Sequence, residues 1–336
     1  MALPTDPEET QEHGTPVPDY SPEARRRAAK LALHDPMLPG FKPPTGRAYY
    51  LEVAKRTFSG TYNDGFVHAG NLAYSTLFAI FPFFIFGAAV FSAFGEEGAR
   101  AVAIDSVLSA LPPSVGDVLG PDARNVINAR SGILLWVGAA FALWSVSNLV
   151  ETLRDILRRA YGTKSTRSFW YYRLLSTGII IAAVLLLMLG LIAQVTIGAI
   201  EEVIDAWLPD LTHALGSLAL SRIVPTVAIY CSIFMLFLSL TPHRYRGKAY
   251  PKWPGALLVT VWWVGVTLVF PPLLRTVFNY SLTYGSLAGI MITLFFFWLI
   301  GLGVVAGAEL NAALASTPEE ETAMVTAEVE QENTTQ

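Results

Sequence analysis

The sequence predicts an all-α integral membrane protein with six transmembrane helices and short amphipathic helices at the membrane interface. Only 15% of the 336 residues are charged, whereas soluble domains carry about 25% charged residues. The stretch from Gly285 to Ala308 contains no charge. At about 1.5 Å per residue it is long enough to cross a hydrocarbon core of about 30 Å. Basic residues are concentrated in loops that fall on one side of such a bundle.

Further apolar runs of similar length precede this stretch. We expect the six spans at about 71–94, 132–150, 174–200, 223–240, 254–274 and 285–308. Pro82 lies near the middle of the first span and should kink it, because proline cannot donate a backbone hydrogen bond. Helical spacing of apolar residues predicts a surface helix at about 47–61 and two short amphipathic helices within 95–130.

The distribution of basic residues predicts the orientation. Of the 23 Lys and Arg residues, all but five fall in the N-terminal region or in the loops after the second and fourth spans. Basic loops remain in the cytoplasm, so both termini should be cytoplasmic. Residues 1–46 and the acidic residues 316–336 lack apolar periodicity and are expected to be disordered tails. The membrane domain should therefore comprise residues 47–315.

Polar side chains at the inner ends of three spans form the candidate site. Ionisable groups at membrane depth usually face the bundle interior with a partner. We hypothesise an inward-facing polar cavity lined by Asn71, Tyr74, Ser75, Asn148, Glu151, Glu309 and Asn311. In the alternative interpretation, Glu151 and Glu309 lie among the lipid head groups and pair with loop arginines.

Basic residues beside the spans could bind lipid head groups. The candidates are Arg154, Arg158, Arg159, Arg173, Arg244 and Arg246. Setting the membrane topology would also explain these residues. Two glycine pairs in the last span, Gly285/Gly289 and Gly303/Gly307, would allow a neighbouring helix to approach closely.

Patterns typical of enzymes are absent from the sequence. The 5 histidines are scattered without metal-binding spacing, and neither a nucleotide-binding GxxxxGK[ST] loop nor a GxSxG nucleophile motif occurs. The net charge of −4 gives no argument for a nucleic-acid partner. We predict no enzymatic activity, no cofactor and no metal site.

Four blocks together resemble the YihY/virulence factor BrkB family: NLAYSTLFAIFPFFIF at 71–86, RRAYGTKSTRSFWYYRLLS at 158–176, PKWPGALLVTVWW at 251–263, and YGSLAG with GAELNAAL within 284–314. The resemblance covers about residues 45–315. It implies a bacterial inner-membrane protein with six helices, linked to serum resistance and suspected of moving envelope lipids. The older family label, ribonuclease BN, implies a nuclease, but no catalytic residues are established for the family. Ala79 stands where the family tends to have serine.

Two classes of function follow from these observations. The first is a transporter or flippase-like carrier of a lipid or other envelope amphiphile, with membrane lipids as its partners. The second is a structural or scaffolding membrane protein that forms a homo-oligomer through its helices. A membrane-bound nuclease is a distant third.

Overall fold

The computed structural model describes residues 19–34, 46–94, 108, 112–128, 133–164, 170–178, 181, 220–277, 287–323 and 325–326. The helices are α1 (Pro22–His34), α2 (Arg47–Phe94), α3 (Pro113–Asn128), α4 (Ile133–Ala160), α5 (Leu220–Leu240), α6 (Trp253–Val277) and α7 (Ala288–Leu314). Residues 170–178 and 318–323 form shorter helical segments, and His243–Tyr245 is a 3-10 turn. No strand occurs in the described residues, so the all-α prediction is confirmed.

Two of the described helices are long and apolar enough to cross a membrane, Trp253–Leu274 and Ala288–Leu314, while Thr226–Leu240 is apolar but shorter. Only 17% and 39% of the most apolar windows of the two longer helices are buried. Their outward apolar surface suits contact with lipid rather than water. The predicted third span lies mostly outside the described residues, and the count of six spans stays a prediction.

Helix α2 corrects the prediction of a separate surface helix at 47–61. Arg47–Phe94 is one helix of 48 residues, about 72 Å long and therefore longer than the hydrocarbon core is thick. Three glycines of α2 lie on the side of this helix that contacts α7. Gly60 faces Glu309, Gly65 faces Val305 and Leu302, and Gly70 faces Trp298. The chain remains helical through Pro82.

Helix α4 extends ten residues beyond the predicted end of the second span. Ion pairs between Glu151 and Arg154, and between Asp155 and Arg159, support the extension at helical spacing. The helix ends at Ala160, and Gly162 just beyond it has a φ of +67°, the left-handed conformation that glycine adopts most easily. Helix α3 begins at Pro113, a favourable residue for a first helical position. The other amphipathic helix predicted within 95–130 lies outside the described residues.

Helix α2 packs against α7 and α4, and α6 packs against α7 and α5. The second glycine pair of the last predicted span packs within the chain. A side chain added at Gly303 would collide with Trp262, and one added at Gly307 would collide with Val259. Helix α6 of the same chain is therefore the neighbouring helix that approaches closely at Gly303 and Gly307. Gly285 lies outside the described residues.

Parts of both predicted tails are ordered helices, which corrects the expectation of disorder over 1–46 and 316–336. Ser21 accepts a hydrogen bond from the backbone of Ala24 at 3.3 Å and caps α1. Thr317 and Glu320 form a reciprocal capping box at the start of 318–323. A Pro-Glu pair follows each cap in the sequence, with proline at the favoured first helical position. The rest of both tails lies outside the described residues.

These two terminal helices are joined by ion pairs, which we call the terminal clasp. Its charged residues are Glu23, Arg25, Arg26, Glu319 and Glu320. Arg25 and Glu320 are buried, and Nη1 of Arg25 donates to Oε1 of Glu320 at 2.9 Å. Glu23 accepts from the hydroxyl of Tyr245 at 2.6 Å and from Arg244 at 3.0 Å. The clasp thus ties α1 to the end of α7 and to the turn before α6.

Candidate functional site

A polar pocket of about 400 Å³ lies where α2, α4 and α7 continue past their apolar segments. Residues 19–21, which precede α1, form part of its wall. The charged and polar lining residues are Asp19, Tyr20, Ser21, Arg56, Ser59, Asn63, His68, Arg159 and Glu309. The volume is within the range of about 300–1,000 Å³ typical of small-molecule sites. This pocket contains groups of both charge signs.

Glu309 of α7 lies directly against Gly60 of α2. A Cβ atom added to Gly60 would collide with the Glu309 carboxylate. The carboxylate can lie at this position because glycine has no side chain. Among the seven predicted cavity residues, Glu309 is the one that lines the pocket.

Asn311 has a different position from the one predicted. It is only 1% exposed, and its Oδ1 accepts a hydrogen bond from the backbone N–H of Gly255 at 2.8 Å. Its Nδ2 donates to the carbonyl of Lys252 at 3.1 Å. The first N–H groups of a helix have no partners within that helix, and Asn311 satisfies one of them for α6. Asn311 therefore joins α7 to the start of α6 and does not line the pocket.

The three predicted residues on α2 lie outside the pocket lining. Asn71 is exposed, and Tyr74 is exposed and stacked on Phe78. The hydroxyl of Ser75 is 3.3 Å from the hydroxyl of Thr152 and links α2 to α4. The structure does not bring these residues together with Glu309 in one cavity.

Asn148 and Glu151 belong to a second cluster, between α4 and residues 170–178. Arg173 donates to Oδ1 of Asn148 at 2.6 Å and to the carbonyl of Trp144, and its guanidinium lies 3.8 Å from the centre of the Trp144 ring. Glu151 accepts from Arg154 and from the hydroxyl of Ser176 at 2.7 Å. Glu151 therefore pairs with an arginine of its own helix, α4, whereas the alternative interpretation expected loop arginines as partners.

The six head-group candidates divide into two groups. Arg154 and Arg173 are buried, and Arg158 is half-buried with its guanidinium 4.2 Å from the centre of the Tyr172 ring. The other three are exposed and have protein partners: Arg159 pairs with Asp155, Arg244 pairs with Glu23, and Arg246 donates to the carbonyls of Ser239 and Thr241. The candidates are thus not one continuous basic surface.

Several ionisable groups in and around the clasp have pKa values that differ from their ordinary values. Desolvation by burial lowers the pKa of Arg25, and the nearby Glu320 carboxylate partly opposes this. The hydrogen bond from Arg26 lowers the pKa of Glu319 to about 2. Burial, followed by the hydrogen bond to Glu23, raises the pKa of Tyr245. The clasp therefore favours the charged forms of its outer residues, Arg26 and Glu319.

Sequence reasoning missed the contribution of the N-terminal segment to the pocket, together with Arg56 and His68. Gly60 is a usable signal in the sequence, since a small residue within a helix permits close approach of a neighbouring helix. No group of three metal-binding side chains occurs among the described residues.

The family model described as "Virulence factor BrkB" matches residues 61–330. The chain is 28% identical over 269 residues to the "Putative ribonuclease-like protein YfkH" of Bacillus subtilis (strain 168), which covers 79% of this chain and 95% of that protein. It is 30% identical over 275 residues to the "UPF0761 membrane protein PSHAa0171" of Pseudoalteromonas translucida (strain TAC 125), covering 80% and 87% of the two chains. No solved structure matches the chain.

Proposed function

The chain belongs to the virulence factor BrkB family and is a membrane protein, and we propose that it is an inner-membrane carrier for a lipid or another envelope amphiphile. Such a carrier, of transporter or flippase type, must accommodate a polar head and apolar tails together. The family resemblance found in the sequence is confirmed. The carrier function is our inference from the polar pocket.

The observation that supports a carrier is a pocket of mixed charge beside helices with exposed apolar surfaces. Asp19 and Glu309 supply carboxylates, and Arg56 and Arg159 supply guanidiniums. Helix α2, which lines the pocket with Ser59 and His68, exposes the large apolar side chains of Phe58 and Val67 directly beside them. A polar head group could enter the pocket while its tails remain in contact with apolar surfaces.

Glu309 is the residue to which we assign contact with the head group. Helix α7 has no charged residue from Ala288 to Ala308, a length of about 30 Å at 1.5 Å per residue. Glu309 therefore follows one hydrocarbon thickness of apolar helix. A carboxylate at this level of the helix lies where lipid head groups are found, and Gly60 provides the space that it occupies.

The proposal includes the topology inferred from the sequence: six spans, both termini cytoplasmic and a pocket that faces the cytoplasm. Scaffolding through helix contacts receives less support, because Gly303 and Gly307 pack against α6 of the same chain. The name "ribonuclease-like" describes YfkH, and no arrangement among the described residues of this chain favours a nuclease.

The test is movement of fluorescent phospholipids between the leaflets of liposomes that contain the purified protein. Wild-type protein should move lipid faster than protein-free liposomes. Glu309→Gln should slow this movement by about tenfold, corresponding to about 1.4 kcal/mol. Gly60→Ala should also slow it, because the added methyl group displaces the flexible Glu309 side chain.

The matched control is Glu321→Gln, which removes one carboxylate from an exposed position outside the pocket. This variant should retain the wild-type rate. Folded wild-type protein that moves no lipid contradicts the carrier function. Equal rates for wild type and Glu309→Gln contradict the assignment of Glu309.

A further inference from the structure

The cluster between α4 and residues 170–178 has more positive than negative charge. We call Arg154, Arg158 and Arg173 the arginine cluster. Glu151 is the carboxylate that contacts it, through Arg154. The neighbouring Asp155 pairs with Arg159 at 3.2 Å instead. Among the described contacts, the three guanidiniums therefore face one carboxylate, which leaves an excess of positive charge.

Each of these arginines has a buried nitrogen without a hydrogen-bond partner in the described protein. The atoms are Nη2 of Arg154, Nη2 of Arg158 and Nε of Arg173. A buried donor without an acceptor costs about 1–3 kcal/mol, and more when the group is charged. Native proteins rarely leave several such donors together. The cluster thus has unused capacity to donate hydrogen bonds to an anion.

The three side chains are also held in place before any ligand binds. The guanidiniums of Arg154 and Arg158 lie 5.1 Å and 4.2 Å from the centre of the same Tyr172 ring. Arg173 follows Tyr172 directly and is anchored by Asn148. Arginines that are already ordered lose little conformational freedom when they bind, and guanidinium donors match the oxygens of phosphate.

We propose that Arg154, Arg158 and Arg173 form a binding site for a phosphate-class anion, either an anionic lipid head group or free phosphate. The site is distinct from the polar pocket, because none of the three arginines lines that pocket. Trp170 and Tyr171 beside the cluster are 64% and 50% exposed. Exposed Trp and Tyr are typical of the membrane interface, where lipid phosphates lie.

The proposal is tested by thermal unfolding of the full-length protein in uncharged detergent, with phosphatidylglycerol, phosphatidylcholine or inorganic phosphate added separately. Phosphatidylglycerol should raise the Tm in a saturable manner, and phosphatidylcholine should raise it less. A rise with phosphatidylglycerol but not with inorganic phosphate supports a lipid ligand. A comparable rise with inorganic phosphate supports the free ion.

Arg158→Gln and Arg27→Gln form a matched pair, since each removes one arginine charge and Arg27 is exposed on α1, outside both the arginine cluster and the polar pocket. Arg158→Gln should weaken the apparent affinity for phosphatidylglycerol by about tenfold, while Arg27→Gln should change it little. If Arg158→Gln does not fold, Arg158→Lys serves as the second variant and should also weaken binding, because lysine lacks the planar guanidinium. Equal binding by the arginine-cluster variant and Arg27→Gln, or no rise with phosphatidylglycerol or phosphate, overturns the proposal.

Discussion

The terminal clasp at the end of α7 and the arginine cluster at the end of α4 both bury guanidiniums, yet they differ in charge balance. In the clasp, Arg25 donates to Glu320 and to the carbonyls of Ala312 and Ala315, at 2.8–3.0 Å. Arg26 pairs with Glu319 and Glu23. With Arg244 and Lys30, which also pair with its carboxylates, the clasp has three carboxylates for four cations, so the protein itself supplies most of the balancing charge.

The arginine cluster has three guanidiniums and one contacting carboxylate. Each of its arginines has one buried nitrogen without an acceptor in the described protein, and so does Arg25 in the clasp, at Nε. Neither burial nor an unused donor on a single arginine therefore distinguishes the two regions. Charge balance separates arginines that complete the fold from arginines that can bind an external anion.

The largest effect is expected from Glu320→Ala in the clasp. Removing one partner of a buried ion pair typically costs about 3–5 kcal/mol, because the other charge stays buried. Glu320→Ala should lower the free energy of unfolding by that amount in a denaturant titration. Glu320→Gln should cost less, because glutamine can still complete the capping box. Equal stability of wild type and Glu320→Ala would show that the clasp does not hold the termini.

Asn311→Ala removes two hydrogen bonds between uncharged groups, which join α7 to the start of α6. The substitution leaves the N–H of Gly255 and the carbonyl of Lys252 without the partner that now joins them. The expected loss of unfolding free energy is about 1–3 kcal/mol. Lipid transport, corrected for the folded fraction, should remain near the wild-type rate because Asn311 does not line the pocket. A loss of transport as large as that of Glu309→Gln would show that Asn311 does contribute to the functional site.

Acidification should weaken the outer clasp pair, Arg26–Glu319, by about 1 kcal/mol, since the pair is partly exposed. The pKa of Glu319 falls from 4.5 to about 2 in the folded protein. Its contribution is therefore present above pH 4.5, declines as the pH falls towards 2 and is lost below that. Glu319→Gln should remove this part of the pH dependence, as measured by unfolding between these pH values. An unchanged pH profile in the variant would contradict the shift.

The smallest effect is expected for Arg158→Gln without added lipid or phosphate. The substitution removes a positive charge and a buried donor that has no acceptor, although it also loses the contact with Tyr172. These effects oppose each other, and we expect a stability change below about 1 kcal/mol. A loss comparable to that of Glu320→Ala would indicate that the protein already satisfies the arginine cluster.

The sequence was sufficient to predict the helical class and several helix positions, because apolar runs such as the one in α7 depend on length and composition alone. The clasp was not predicted, although the sequence contains a helix-capping pattern of Ser or Thr, then Pro, then Glu at both 21–23 and 317–320. The importance of these residues depends on Arg25 meeting Glu320 across the fold, and such long-range pairing is not encoded in local periodicity.

The candidate site was predicted only in part for the same reason. Glu309 was recognisable as a carboxylate at the end of an apolar helix. The role of Asn311 depends on the position of α6, and the grouping of Asn148 with Arg173 depends on how residues 170–178 pack against α4. Depth along a helix could be read from the sequence, but the direction in which each side chain points required the packed structure.

The most direct measurement is a cryo-EM map of the full-length protein in nanodiscs that contain phosphatidylglycerol. The contrast between the two regions predicts phosphate density at hydrogen-bond distance, about 3 Å, from the guanidinium nitrogens of Arg154, Arg158 and Arg173. The same map should show Arg25 and Arg26 of the terminal clasp paired with the carboxylates of Glu320 and Glu319. A map in which carboxylates or carbonyls of the protein occupy all the donors of the arginine cluster would contradict the account.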